Sequence, residues 1–387
     1  MSEQNGFKEN KSLTQKPSKY VFVTNKMERA LVKFSSFVRR KMILFGEKAS
    51  IKRKKALINK VNLTKEQKAE ITKFFKKHYG KSIPYKWHRL YQSYTGKFCY
   101  DYFPEILFST RLEPKLNPYR EAEFLSDKNL LETFFGSVER IHIPKTIVSC
   151  VKGRYRIENK RMATKKEVES FLANTGKCVI KKTTETCSGR DVAICEIVAG
   201  KDVKSGLELD KILQQFGDNF VVQEFVEQFE AINKLNHSSL NTFRVATYIL
   251  DGKIYHCAPV LRLGRYGYEK DNIHHGGVGI QISEDGVLGD VAYSEQGEEY
   301  LAHPDSKVVF AGYKIAGFSE IIKKAHELHA KLPYLGFVSW DFSLDKDGVP
   351  VLIEVNTYRQ SAGICQRFTG KSLFGENTAK MLELIRK

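Results

Sequence analysis

Asp341, Glu354 and Asn356 are the side chains in this sequence whose types and spacing most directly suggest chemistry. They lie in FVSWDFSLDKDGVPVLIEVN, residues 337–356. Val338, Trp340 and Phe342 alternate on one side of an Asp-Lys-Asp-Gly turn, and Val351, Ile353 and Val355 alternate on the other. This pattern predicts a β-hairpin. Glu354 and Asn356 are two residues apart and share a face, and pairing across the turn can bring Asp341 beside them. Two carboxylates and an amide oxygen on one sheet face form a hard-oxygen set suited to Mg²⁺ (or Mn²⁺) that keeps positions for water and phosphate oxygens. The competing reading is an ordinary hairpin whose polar residues alternate outward. Against it, charge interrupts an otherwise apolar strand, and buried charge needs a partner or a metal.

The elements that must position such a set come from a chain of 387 residues, enough for two or three lobes with a substantial core. The net charge is +18, and it is unevenly placed: residues 1–60 hold 12 Lys and 4 Arg against 4 Glu, a surplus of 12 that leaves only 6 for the rest. The basicity therefore belongs to an N-terminal arm and not to the body that carries the hairpin. Seven cysteines, scattered without a Cys-x-x-Cys pair, argue against a disulfide framework or a zinc site and for a reducing compartment. The opening residues lack the apolar core of a signal peptide, and no uncharged run approaches a bilayer span. The expected location is the cytoplasm, with the arm able to reach the inner face of the membrane.

Within the arm, Met27, Leu31, Phe34, Val38 and Met42 recur at spacings of three and four among Arg29, Lys33, Arg39, Arg40 and Lys41, which predicts an amphipathic basic helix. Such a helix can lie on anionic lipid, or it can pack on the main body with its basic face solvated; the second reading is the more economical. The run Lys52 to Lys55 lacks the interleaved aromatics of a nucleic-acid reader, so it reads as a solvated charge run and nucleic acid is not an expected partner. Further on, Thr64 and Gln67 form a capping box that opens a helix ending at Gly80. His88, set between aromatics, reads first as a structural residue. Gly317 to Leu332 is apolar at helical spacing and should back the hairpin.

Several ordered strings together resemble the sugar-transfer associated family of the ATP-grasp superfamily, from about Leu63 to the C-terminus. They are Ser126-Asp127-Lys128 before a helix and an Ile-Pro step, the strand Cys178 to Lys181 running into TTETCSGRDV, FVVQEFV at 220–226, Asn241-Thr242-Phe243-Arg244-Val245, Asp271 to Gly279, and WDF followed by LIEVN. The resemblance implies an α+β ATP-grasp fold with two nucleotide-clamping lobes, each built on a sheet, after an N-terminal helical and mixed region. The implied division is an arm over 1–60, an N-terminal lobe over 61–125, a lobe with the phosphate loop over 126–225 and a lobe with the metal hairpin over 226–387. It further implies ATP as cofactor, with Lys128, Lys181, Ser188 and Gly189 at the phosphates, backbone near Glu224 and Val226 at adenine, and Glu230 or Glu227 at the ribose. Arg244, and secondarily Arg262, would offset charge on the transferring phosphoryl group, where a planar, permanently charged guanidinium fits. Both arginines could instead pair structurally with Glu224 or Glu354. Asn272, His275 and Gly277 would lie near the cleft, and Arg359 and Gln360 would meet the acceptor. His274 and His275 are not spaced as a zinc pair.

The phosphate loop departs from the family pattern. Lys182 stands where proline is usual, and of several glycines only Gly189 remains, with Cys187, Ser188 and Asp191 at the others. The implied chemistry is carboxylate activation through an acyl phosphate, captured by an amine to give an amide in cell-surface polysaccharide biosynthesis. The substrates would be small-molecule or glycan carboxylates and amines. A kinase of a sugar or glycan precursor and a non-catalytic, nucleotide-binding scaffold at the membrane remain alternatives.

Overall fold

The computed structural model describes residues 19–183, 192–268, 271 and 273–386. Two compact units are present, Met1–Ala49 and Ser50–Lys387. The first contributes most of α1 (Lys19–Arg53), a helix of 35 residues.

The second unit begins with short helices, α2 (Lys55–Asn59), α3 (Lys65–His78) and α4 (Lys86–Thr95). Helix α3 starts where its capping box requires. Gln67 N donates to Thr64 Oγ1 at 3.2 Å and Thr64 N donates back to Gln67 Oε1 at 3.0 Å, satisfying two otherwise orphaned amides. These helices do not form a core of their own. Phe103 packs edge-on against Phe374 and Tyr94 against Phe368, so residues 51–116 share one apolar cluster with residues 362–385. His88 lies fully buried within it, donating from Nε2 to the Tyr100 carbonyl at 3.0 Å. Burial pushes its pKa down to about 4, which leaves the ring neutral at physiological pH.

Two antiparallel sheets follow. The smaller one is built from β1 (Thr146–Val151), β2 (Arg154–Ile157), β3 (Arg161–Ala163), β4 (Gly176–Lys182), β5 (Val192–Val198), β6 (Lys201–Asp202) and β7 (Asn219–Glu224), in the order β3-β2-β1-β7-β4-β5-β6. Helices Lys165–Leu172 and Leu209–Phe216 bury Val168, Leu172, Ile212, Leu213 and Phe216 in the core of this sheet.

The larger sheet contains β8 (Thr242–Leu250), β9 (Lys253–His256), β10 (Val260–Leu263), β11 (Val278–Ile282), β12 (Leu288–Ser294), β13 (Glu299–Tyr300), β14 (Phe337–Leu344) and β15 (Pro350–Asn356). Its order is β13-β12-β11-β10-β8-β14-β15, with β9 also paired to β8. Helix Phe318–Ala330 packs on one face, its Phe318, Ile321, Ala325 and Leu328 joining Trp340 and Phe342 in a single core. All eight residues of β14 are buried, as a strand covered on both faces requires.

The hairpin β14–β15 turns through Asp345 to Gly348. Asp345 Oδ1 accepts from the amides of Asp347 and Val349, and Gly348 takes the left-handed φ of +78° that closes the turn. The register pairs Phe342 with Leu352 and Asp341 with Glu354. Ile353 is the extra residue of a β-bulge between them.

Candidate functional site

A cleft of about 1630 Å³ runs between the sheets. Its charged floor follows from strand register. Residue pairing places Arg244 of β8 opposite Asp341 of β14, and Asp341 opposite Glu354 of β15, giving one row of charges across three neighbouring strands. Arg244 closes a two-bond clamp on the carboxylate, Nε to Oδ1 at 2.5 Å and Nη2 to Oδ2 at 3.0 Å. Arg262 of β10 reaches the same carboxylate at 3.2 Å and Asp271 at 3.3 Å, while its Nε donates to Thr242 Oγ1 at 2.9 Å. Thr242 in turn donates to Asp271.

Burial opposes ionisation of Asp341, but Arg244 and Arg262 outweigh it and hold the carboxyl below its usual range. For Asp271 burial dominates and pushes the carboxyl up, with Arg262 as the main opposing influence. Arg262 itself is held firmly cationic, since Asp271 and Asp341 overcome the cost of its burial.

One side of the cleft carries Lys128 and Lys181. Lys128 begins a 3₁₀ turn, Lys128–Leu130, capped by the Asp127 side chain on Asn129 N, and its ammonium pairs with Glu354 at 2.9 Å. Lys181, near the end of β4, feels burial first and the Lys128 charge second. Glu354 compensates only partly, so the Lys181 pKa falls to about 8. Two lysines thus converge on one carboxylate.

The edge nearest β7 is fixed by His142. Its backbone pairs with β15, with His142 N donating to Pro350 O at 2.8 Å and Leu352 N donating to His142 O at 3.0 Å. Its ring meets Glu224 at 2.8 Å through Nε2 and Asp345 at 3.1 Å through Nδ1, joining the smaller sheet to the hairpin turn. Burial disfavours the charged ring, but the Glu224 and Asp345 contacts prevail and raise its pKa. Glu224 also accepts from Lys145 N at 2.7 Å. Val226 is buried in the cleft wall beside Phe225, and exposed Glu230 starts the helix Glu230–Leu235 at its rim.

Also lining the cleft, Gln360 is buried, with its amide N donating to Glu113 and its Nε2 to the Phe337 carbonyl, while its Oε1 has no hydrogen-bond partner among the described residues. Nearby on the wall Arg367 pairs with Glu295 at 3.0 Å and lies over the Tyr94 and Phe368 rings. Glu295 also binds Lys54. Arg359 is exposed on the same wall, in a left-handed conformation with φ +52° and its guanidinium over Tyr358.

Of the residues singled out by sequence, the cleft brings together Lys128, Lys181, Glu224, Val226, Glu230, Arg244, Arg262, Asp341, Glu354, Asn356, Arg359 and Gln360. Neither His275, which is exposed, nor Gly277, which is buried, lines it; their neighbours Asp271 and Ile273 do. Ser188, Gly189 and Asn272 lie outside the described residues, as does the rest of the segment from Thr184 to Asp191. The arginines pair with Asp341 and Asp271, not with Glu224 or Glu354. Sequence reasoning passed over Asp271, although it opens the Asp271–Gly279 string, and it had no signal for His142, Glu295 or Arg367.

A model of the sugar-transfer associated ATP-grasp family matches residues 107–381, well over half of the chain. The chain belongs to that family. Solved structures resembling this ATP-grasp protein include an L-amino acid ligase from Bacillus licheniformis, 14% identical with a TM-score of 0.38, covering 69% of this chain and 50% of that one. The VanG D-Ala:D-Ser ligase from Enterococcus faecalis is also 14% identical, with a TM-score of 0.38 and coverage of 70% and 61%. N5-carboxyaminoimidazole synthetase from Staphylococcus aureus, complexed with ADP, is 9% identical, with a TM-score of 0.38 and coverage of 67% and 54%. This ATP-grasp protein therefore spans about half to three fifths of those chains, and at such scores the likenesses carry no argument about activity. A search of curated proteins found no significant match.

The donor set fits the metal the family implies. Asp341 and Glu354 stand at directly paired positions, and Asn356 Nδ2 lies 3.4 Å from Asp341 Oδ2. Lys128 pairs with Glu354, and Arg244 and Arg262 pair with Asp341, so an incoming divalent ion would share these carboxylates with their cationic partners. Among the described residues no group of three or more His, Cys, Asp or Glu could hold an ion alone, so Mg²⁺ here would take two carboxylates, the Asn356 amide oxygen and phosphate oxygens.

Proposed function

We propose that this protein is an ATP- and Mg²⁺-dependent carboxylate–amine ligase that works in cell-surface polysaccharide biosynthesis or decoration. The observation that carries the reading is the charge row Arg244–Asp341–Glu354 facing the lysine pair across one cleft. ATP with Mg²⁺ would supply an activated phosphoryl group.

The chain's own residues have distinct tasks in this reading. Lys128 and Lys181 counter phosphate charge, and Lys181 does so best when protonated. Asp341, Glu354 and Asn356 would hold the ion. Arg244 and Arg262, fixed on Asp341, present guanidinium charge where negative charge spreads over equatorial phosphoryl oxygens, so they need no reorganisation during transfer. Val226 and Phe225 offer an apolar wall for the base, and Glu230 a carboxylate for ribose hydroxyls. The Gln360 Oε1, without a partner among the described residues, is an acceptor for an N–H or O–H donor, and Arg367, Arg359 and Glu295 line the same cleft. An amine arriving there would attack the acyl phosphate, forming the C–N bond as phosphate leaves and a proton is released.

The test is ADP release with MgATP and a panel of carboxylates and amines, with products followed by mass spectrometry. The expected result is turnover that requires both a carboxylate and an amine, yields a product lighter than the two by one water, and is lost in Glu354→Gln. Turnover with a single sugar hydroxyl acceptor would establish a kinase instead, and unchanged cellular function of Glu354→Gln would establish a scaffold.

A further inference from the structure

Helix α1 carries a row of large, exposed apolar side chains. Leu31, Phe34, Met42 and Phe45 are 65%, 66%, 68% and 75% exposed, and Met27, Phe37 and Val38 are exposed as well. Met27, Leu31, Phe34, Val38, Met42 and Phe45 follow one another at intervals of four, three, four, four and three residues. On a helix of 3.6 residues per turn they fall in one stripe about 27 Å long. A contiguous apolar stripe of this length on a helix marks an interaction surface.

The charge on the same helix decides what covers it. Within KYVFVTNKMERALVKFSSFVRRKMILFGEKASIKR there are ten Lys and Arg against two Glu. Lys26, Arg29, Lys33, Arg40 and Lys41 lie at the flanks and back of the stripe. A second copy of the helix would bring a surplus of eight positive charges against another eight. An apolar peptide groove would leave the cations without counter-charge. An anionic bilayer surface satisfies both demands, since acyl chains take the stripe and lipid phosphates take the flanking cations. No described helix is long and apolar enough to cross a membrane, so the geometry suits a helix lying in the interface.

We infer that α1 docks the protein on an anionic membrane surface, its Met27–Phe45 stripe inserted among the acyl chains. This inference stands on the helix alone and does not depend on the ligase reading.

The test uses the full chain in vesicle flotation, with vesicles of phosphatidylcholine alone or mixed with phosphatidylglycerol. The wild type should float with the mixed vesicles and stay behind with phosphatidylcholine alone. Leu31→Ser with Phe34→Ser should abolish flotation. Arg39→Gln, Arg40→Gln and Lys41→Gln together should weaken binding on the order of 100-fold, at about 1 kcal/mol per basic residue. Leu31, Phe34, Arg40 and Lys41 are exposed and Arg39 is half-buried, and circular dichroism verifies that each variant keeps its helix. The inference is overturned if the wild type does not bind the mixed vesicles, if it binds both vesicle types equally, or if the variants bind as the wild type does. It is also overturned if light scattering finds a dimer that the Leu31→Ser, Phe34→Ser variant loses.

Discussion

Replacing Lys181 by Met keeps most of the aliphatic stem and removes the ammonium from the crowded wall it shares with Lys128 and Glu354. Burial and the Lys128 charge have lowered the Lys181 pKa from 10.5 to about 8. The native protein therefore binds fewer protons than the unfolded chain between about pH 8 and 10.5. Below pH 8 both states are protonated and the full cost of burying the charge is present; as pH rises through 8 the native state sheds the proton and stability increases. A shift of this size corresponds to roughly 3 kcal/mol. The expectation is that Lys181→Met is more stable than wild type at pH 7 by up to that amount, and that the difference closes toward pH 10. Nucleotide should act in the opposite direction. Phosphate oxygens favour the ammonium, so wild-type binding should take up a proton near and above pH 8, with affinity falling as pH rises. Urea unfolding at several pH values measures the first effect, and titration calorimetry of ADP in buffers of different ionisation enthalpy measures the second. Identical pH profiles for wild type and Lys181→Met would refute the placement of Lys181 as a destabilised, phosphate-facing cation.

Three further outcomes are expected. Asp341→Asn should destabilise the protein by about 3–5 kcal/mol in urea unfolding because it leaves two buried guanidinium groups without their shared carboxylate. Arg244→Met with Asp341→Leu should cost less than the two single substitutions summed. The raised pKa of His142 predicts a stabilising contribution that is fully present below the ordinary histidine range and lost as pH rises through the folded value. His142→Phe should flatten that part of the stability profile. Gly279→Ala places a methyl group 2.7 Å from the Phe368 ring and should cost about 1–3 kcal/mol, read as a lower thermal midpoint.

Local pattern made the hairpin, the α3 capping box and the helix behind β14 legible, because alternation, a turn and a cap are each decided within about ten residues. It also marked Asp341 and Glu354 as unusual, since charged residues within apolar strings need an explanation, whereas Lys128, Lys181 and Arg244 stood out only through the family resemblance. Pairing between distant segments was not legible. Arg244 and Asp341 are 97 residues apart and meet only because β8 and β14 become neighbours in register. The Arg367–Glu295–Lys54 link joins three segments with no shared local pattern, and His142 is one residue of a short connection whose role depends on both sheets. The exposed state of the α1 stripe was likewise beyond reach, since periodicity identifies an apolar face without saying what covers it.

The bulge at Ile353 has a consequence for what the cleft can be made to do. Ile353, the residue without a partner across the ladder, lines the cleft beside Glu354. The irregularity seats an oily surface directly against the acidic row, where a drier neighbourhood strengthens every attraction between charges. It is also separable from that row: excising Ile353 would restore regular pairing while leaving Asp341 opposite Glu354, so polarity at this wall could be retuned by evolution or by design without rewiring the electrostatics.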